Sequence, residues 1–233
     1  MREPADGLLS ALTESGVLTG DEVIVPSYTS VEVAAAVQQA GALPVFADID
    51  PETYCLDPRA VAGAVTARTV AVVSVPQFGY RADRTPLRQV AERHGLLLLE
   101  TSTAQDLSAG TAARRANAAF LDAHLTGLRT PRVREGDSHD FEEFVVRVPG
   151  NGRPDRDAFA RTLQARGVRC RIPVTTPVHR MPGYRTGAWL PETEQAAAEC
   201  LALSVATDMT VRRLKRVASA CNSLGGLITL AAS

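Results

Sequence analysis

The run LLLLETSTAQ, residues 96–105, takes four leucines straight into a carboxylate, Glu100, and then into the hydroxyls of Thr101, Ser102 and Thr103, with Gln105 beyond. Four consecutive leucines fit a strand, and the carboxyl ends of strands are where open α/β sheets bind ligands. Polar residues also follow other apolar runs: Tyr28, Thr29 and Glu32 after DEVIVP, and Gln77 and Tyr80 after TVAVVSVP. The C-terminal half adds His139, Arg171, His179, Arg180 and Tyr184. A carboxylate beside an imidazole works as an acid/base pair, and Glu100 with His179 is the catalytic pair these residues offer. Tyr28, Thr29, Gln77, Tyr80, Thr101, Ser102 and Arg171 are the candidate substrate contacts. Each has a plainer role to set beside this one. Glu100 can bond backbone, the loop histidines can be solvated, Glu32 can be a surface charge, and ETSTAQ can be a turn of the kind Ser and Thr favour.

Other chemistry is poorly supplied. No Ser/His/Asp set, Gly-rich phosphate loop or metal-ligand cluster stands out, so neither a metal nor a cofactor site is expected. Lys215 is the single lysine; every other cationic side chain apart from histidine is arginine. Arginine keeps its proton and cannot form a Schiff base. The four cysteines, Cys55, Cys170, Cys200 and Cys221, lack CxxC spacing and read as reduced thiols.

The elements that must position these groups alternate in type. DGLLSALTESG is helical and stops at Gly16; DEVIVP is a short buried strand; SVEVAAAVQQAG is a helix with Ser30 as its expected cap. LPVFADI, TVAVVSVP and LLLLE are further strands, separated by helices over DPRAVAGAV, capped by Asp57, and DRTPLRQVAERHG, closed by Gly95. Strand–helix alternation predicts a mostly parallel sheet with crossover helices, an α/β fold. After Ala112 the texture changes to an α+β unit. It has a long helix with Ala116, Phe120 and Leu121 toward a core, strands at EEFVVRVPG and VRCRIPV, and helices over GRPDRDAFARTLQARG, PETEQAAAECLAL and TVRRLKRVASACNSL. RTPRVREGDSHD reads as an exposed loop. The expected domains are 1–111, a shortened large α/β domain, and 112–233, a small C-terminal α+β domain that includes the inter-domain helix.

The 233 residues carry a net charge of −1, with 45% apolar and 22% charged residues. That balance suits a globular chain and gives no basic surface for nucleic acid or membrane. With no long apolar run and no leader, a cytoplasmic location is expected.

The stretch from GDEVIVPSYT through PVFADIDPETY to LLLLE, resumed at ARRANAAFLDAHL, FVVRVPG, ARGVRCRIPV and TPVHRMPGY, resembles the DegT/StrS-type sugar aminotransferases, which are fold-type-I pyridoxal-phosphate (PLP) enzymes. The resemblance implies a truncated aminotransferase-like fold with a small C-terminal domain and a homodimer sharing its active sites. It implies a keto-sugar bound to a nucleotide as the usual substrate, with glutamate or glutamine as amine donor. PLP supplies an electron sink, provided a lysine tethers it, an acid protonates its ring nitrogen and donors grip its phosphate. Carried onto this sequence, the family pattern meets REPAD where the phosphate-gripping residues belong, Ser30 at the ring-stacking position and Thr101 where the acid follows Glu100. Well over a hundred residues of the family's usual length are absent, some at the N-terminus and most between Gln105 and Ala112, where the family carries further strands and its lysine; Lys215 lies in the last helix. The expectation is therefore an aminotransferase-like protein without PLP transamination, a non-catalytic or partner subunit in amino-sugar or natural-product biosynthesis. Its expected partners are a second copy, or a full-length aminotransferase paralogue, and a small-molecule ligand. The alternative is a dehydratase, isomerase or cyclase that uses acid/base residues in the vacated pocket.

Overall fold

The computed structural model describes residues 4–101, 110–149 and 156–229. In chain order the elements are α1 (Pro4–Glu14), β1 (Glu22–Pro26), α2 (Val31–Gln39), β2 (Leu43–Ala47), α3 (Pro58–Ala64), β3 (Thr69–Ser74), β4 (Tyr80–Arg81), α4 (Thr85–His94) and β5 (Leu97–Glu100). They continue with α5 (Thr111–His124), β6 (Ser138–His139), β7 (Phe144–Arg147), α6 (Arg156–Ala165), β8 (Cys170–Arg171), α7 (Pro191–Glu199), β9 (Cys200–Leu203) and α8 (Val211–Thr229). Two compact units form. The first contains residues 1–77, 82–105 and 176–194; the second contains 78–81, 106–175 and 195–233. One cut in the chain therefore does not separate them.

The first unit is built on a four-stranded parallel sheet in the order β2-β1-β3-β5. β1 is buried along its whole length and β3 nearly so, because helices cover both faces. On one face α1 and α2 bring Leu8, Leu12, Val33 and Val37 against Val23, Val25, Ala71 and Val73. On the other, α3 and α4 bring Val61, Leu87, Val90 and Ala91 against Ile24 and Val72. Alternate residues of each strand thus serve opposite cores. Gly95 ends α4 at φ 66°, and its N–H bonds back to the carbonyls of Ala91 and Glu92, as its place in the sequence predicts. Asp57 caps α3 by accepting the Arg59 N–H at 2.9 Å, with Pro58 in the first turn. Asp57→Ala is expected to cost about 1 kcal/mol in urea unfolding, and a change below a few tenths would show that the cap contributes nothing.

The second unit packs α5, α6 and α8 on an antiparallel sheet in the order β7-β9-β8. Its core holds Leu121, Phe144, Val146, Phe159, Leu163, Leu201, Leu203 and Leu214. Three sequence expectations are corrected here. CLAL, read as the end of a helix, is β9, the central strand of this sheet. The buried stripe of α5 runs through Arg114, Asn117, Ala118 and Leu121, and Ala116 is exposed. The stretch read as an exposed loop carries β6, which pairs antiparallel with β4 and buries His139 and Asp140. Among the described residues, no helix is long and apolar enough to cross a membrane.

Candidate functional site at the carboxyl edge of the parallel sheet

Strand order reverses between β1 and β3, which makes the space beyond their carboxyl ends the topological switch point of the sheet. The residues delivered there are Ser27, Tyr28 and Thr29 after β1, Gln77 after β3, and Thr101 after β5, all of them buried. Asp48 follows β2. The segment Thr176–Glu194 returns from the second half of the chain and belongs to this unit.

Ser27 is the anchor of that return. Its carbonyl accepts the Val178 N–H at 3.0 Å, and its hydroxyl oxygen accepts the His179 N–H at 3.0 Å. The same Oγ lies 2.6 Å from His179 Nδ1. The other ring nitrogen, Nε2, faces Glu194 Oε1 at 3.3 Å. Glu194 also accepts from the Arg180 guanidinium, through Nε at 2.9 Å and through its terminal nitrogen. These bonds, Arg180's first and then His179's, hold the Glu194 carboxyl below its usual range. A serine, an imidazole and a carboxylate are thus linked, an arrangement the sequence did not reveal. It differs from a nucleophile relay in accessibility: Ser27 and His179 are both wholly buried, and the serine oxygen is already bonded on two sides. Its observed work is to fasten the returning segment to the end of β1.

A second anchor sits on β2. Asp48 Oδ1 accepts the N–H groups of Ile49 at 2.9 Å and Thr193 at 2.8 Å, and Oδ2 accepts the Glu192 N–H at 3.0 Å. The N-terminus of α7, a natural seat for an anion, is filled by the chain's own carboxylate.

The sequence-derived site residues divide between the two units. Glu100 ends β5 and pairs with Arg84 at 2.5 Å. β3 lies between its strand and β1, where His179 is held. Glu100 and His179, the expected acid/base pair, are each bonded to other partners: Arg84 for Glu100, and Ser27 and Glu194 for His179. Tyr28 is buried against Tyr54, with ring centroids 5.8 Å apart. Tyr184 is half-buried in the same unit. Tyr80, Arg171 and His139 belong to the second unit. The Tyr80 hydroxyl donates to Asp137 at 2.6 Å, and burial, followed by that bond, pushes its pKa up to about 12. Arg171 pairs with Glu143 at 2.5 Å and is exposed. Ser102 and Gln105 lie outside the described residues. Ser27 and Asp48 carry no signal in the sequence because their partners lie 152 and 144–145 positions away; Glu194 lies 15 positions from His179, a separation that matches no helical or strand period.

Among the described residues, the side chains at this edge include neither a lysine to tether pyridoxal phosphate nor an acid following Glu100 to protonate its ring. Lys215, the one lysine, is exposed on α8 in the second unit. Thr101, at the position where the family resemblance leads one to expect an acid, is buried, with its N–H bonded to the Ser74 carbonyl. Ser30, at the expected stacking position, has its hydroxyl bonded to the Glu32 carboxylate, which lowers that carboxyl's pKa.

Known proteins place this architecture. The model of the DegT/DnrJ/EryC1/StrS aminotransferase family matches residues 3–109 and again 104–222. The chain is 52% identical over 93 residues to the L-glutamine:2-deoxy-scyllo-inosose aminotransferase of Streptomyces kanamyceticus, a match covering 40% of this chain and only 22% of that relative. It is 27% identical over 293 residues to the pleiotropic regulatory protein of Geobacillus stearothermophilus, covering 85% of this chain and 77% of the relative. That alignment is longer than the 233-residue chain itself, so roughly a third of its positions face no residue here. The structure of 3-amino-5-hydroxybenzoic acid synthase superposes with a TM-score of 0.87 at 19% identity, covering 96% of this chain and 85% of that one. DesI, solved in the presence of its TDP-sugar product, gives 0.82 at 26% identity, with 95% and 79% covered. By sequence along almost its whole length, this chain belongs to the DegT/DnrJ/EryC1/StrS aminotransferase family.

Proposed function

We propose that this protein is a family member without PLP-dependent transamination, acting as a partner subunit in amino-sugar or related natural-product biosynthesis. The observation that carries the reading is the chemistry of the sheet's carboxyl edge. Thr101 follows Glu100, and the one side-chain amine able to form an imine, Lys215, stands on a surface helix of the other unit. The relatives' names supply the metabolic setting, a keto-cyclitol or keto-sugar pathway. The family match in two segments that meet at 104–109 supports a natural shortening at that point. The partner is a second copy or a full-length aminotransferase, because an active-site edge closed by its own chain leaves association as the remaining inherited role.

The acid/base alternative, a dehydratase, isomerase or cyclase, has less behind it. It rests on Glu100 and His179, and both are engaged, by Arg84 and by Ser27 with Glu194.

The test is direct. Purified protein mixed with one equivalent of PLP is expected to give no stoichiometric imine band in the visible spectrum, and borohydride should trap no adduct at a single site. A band at one equivalent, with the adduct mapped to one residue, would overturn the proposal. Co-expression with a full-length relative should co-purify the pair if the partner is a paralogue; a single species of twice the chain mass from this chain alone identifies self-association.

A further inference from the structure

We infer that Thr176–Glu194 is a latched strap across the carboxyl ends of β1 and β2, and that the Ser27–His179–Glu194 contact is the latch controlling access to the Ser27–Thr29 turn. This goes beyond the functional reading above and holds whether or not the protein turns over a substrate.

The strap contributes no strand to the sheet. Its one regular element is a single 3-10 turn at Val178–Arg180, followed at its end by the first residues of α7. Among the described residues, its hydrogen bonds to the sheet's edge gather at two points: Ser27 holds Val178 and His179, and Asp48 holds Glu192 and Thr193. Apolar fastening is deepest near these points, where Val178 and Leu190 are buried in the core shared with α1 and α2, while Tyr184 and Ala188 between them pack against that core half-buried. Between them, residues 180–189 are exposed or half-buried, and Trp189 is 80% exposed. A segment with two short hydrogen-bonded anchors and a middle that is only half-buried or exposed opens at lower free energy than the more deeply buried strands beneath it.

The latch sets that free energy. Ser27 and His179 have no exposure, so losing one partner leaves the other a buried polar group without a bond, which costs more than the bond itself contributed. The bonds also run in one chain, from Ser27 through the imidazole to Glu194 and Arg180, so the members reinforce one another. Ser27 and Thr29 are buried while the strap is seated. A ligand reaching that turn must meet an open strap.

Hydrogen exchange on the full chain tests this, with Ser27→Ala and Glu194→Ala compared against wild type. In both variants the Val178–Met181 amides should exchange at least about tenfold faster, while the amides of β1 and β3 keep their wild-type rates. Fluorescence anisotropy of Trp189, the only tryptophan, should fall in the same variants. Glu194 lies at the half-exposed outer end of the latch, so Glu194→Ala gives the answer if Ser27→Ala does not fold. Equal acceleration of strap and strands would overturn the inference, because the segment would then be part of the cooperative core. Unchanged strap exchange in Glu194→Ala would overturn it as well.

Discussion

Replacing Asp48 by alanine is expected to lower the unfolding free energy by about 2–4 kcal/mol, among the largest effects of any single polar substitution in this protein. Its carboxylate accepts three backbone N–H groups, from Ile49, Glu192 and Thr193. Two of these belong to the first turn of α7, where no intrahelical carbonyl exists to receive them. Bonds to a charged acceptor exceed neutral ones, and the negative charge also complements the helix dipole. Asp48 is half-buried, so water recovers part of the loss, which is why the range stays below three full charge-assisted bonds. Asp48→Asn keeps one acceptor oxygen and removes the charge, and about half the loss is expected. Urea unfolding at neutral pH measures both variants. A loss under about 0.5 kcal/mol for Asp48→Ala would mean that this anchor does not hold the strap, leaving Ser27 to do so alone.

What the sequence could say about this fold follows from the range over which its signals act. The parallel sheet is legible because each strand and helix carries its own period and its own stop, as at Asp57 and Gly95. CLAL was misread because PETEQAAAE runs into it with no glycine or proline between, and a buried strand four residues long has no period distinct from a helix. β6 was missed because two residues carry no pattern at all. The site shows the same limit more sharply. Tyr28 and Thr29 stand out as candidates because they follow β1 in sequence; Ser27, one residue earlier, has its partner 152 positions away, where no pattern points. His179 was placed in a loop, which is correct for its backbone and uninformative about its ring, the most deeply covered imidazole at this edge.

β5 shows the consequence of the shortened middle. LLLL reads as a strand covered on both faces, yet Leu97 is exposed and Leu98 and Leu99 are only half-buried. β5 pairs with β3 on one side, and among the described residues no strand pairs on its other side. The two family-matched segments meet just beyond it, at 104–109. The sequence of the strand is that of an interior position, while its place in this sheet is at the edge.

The second large effect is a loss of stability in mild acid that traces to His139. Its ring stacks face to face on Phe141 at 4.0 Å and meets Tyr80 edge-on at 5.3 Å. Nδ1 accepts the Phe141 N–H at 2.9 Å, so charging the ring requires that bond to be given up. Burial is the main cause that brings its pKa down to about 4; the Asp140 carboxylate pulls the other way, and Arg115 adds to the depression. In the unfolded chain the same ring titrates near 6.5. Between those two values the unfolded state holds a proton that the native state refuses, so stability rises with pH across this window. The contribution is complete above pH 6.5 and is lost as the pH falls toward 4, with a slope of up to about 1.4 kcal/mol per pH unit and a total of roughly 3 kcal/mol. That is a substantial share of a domain's usual stability. Carboxylates also lose their contributions over part of this range, so the measurement is a difference. Urea unfolding at pH 7 and pH 4.5 is compared between wild type and His139→Gln, whose amide does not titrate. The drop between the two pH values should be smaller in the variant by roughly 2–3 kcal/mol, whatever the variant's stability at pH 7. Equal drops in the two proteins would show that His139 takes up its proton in the folded state as readily as in the unfolded chain, and the acid sensitivity would then belong to the carboxylates alone.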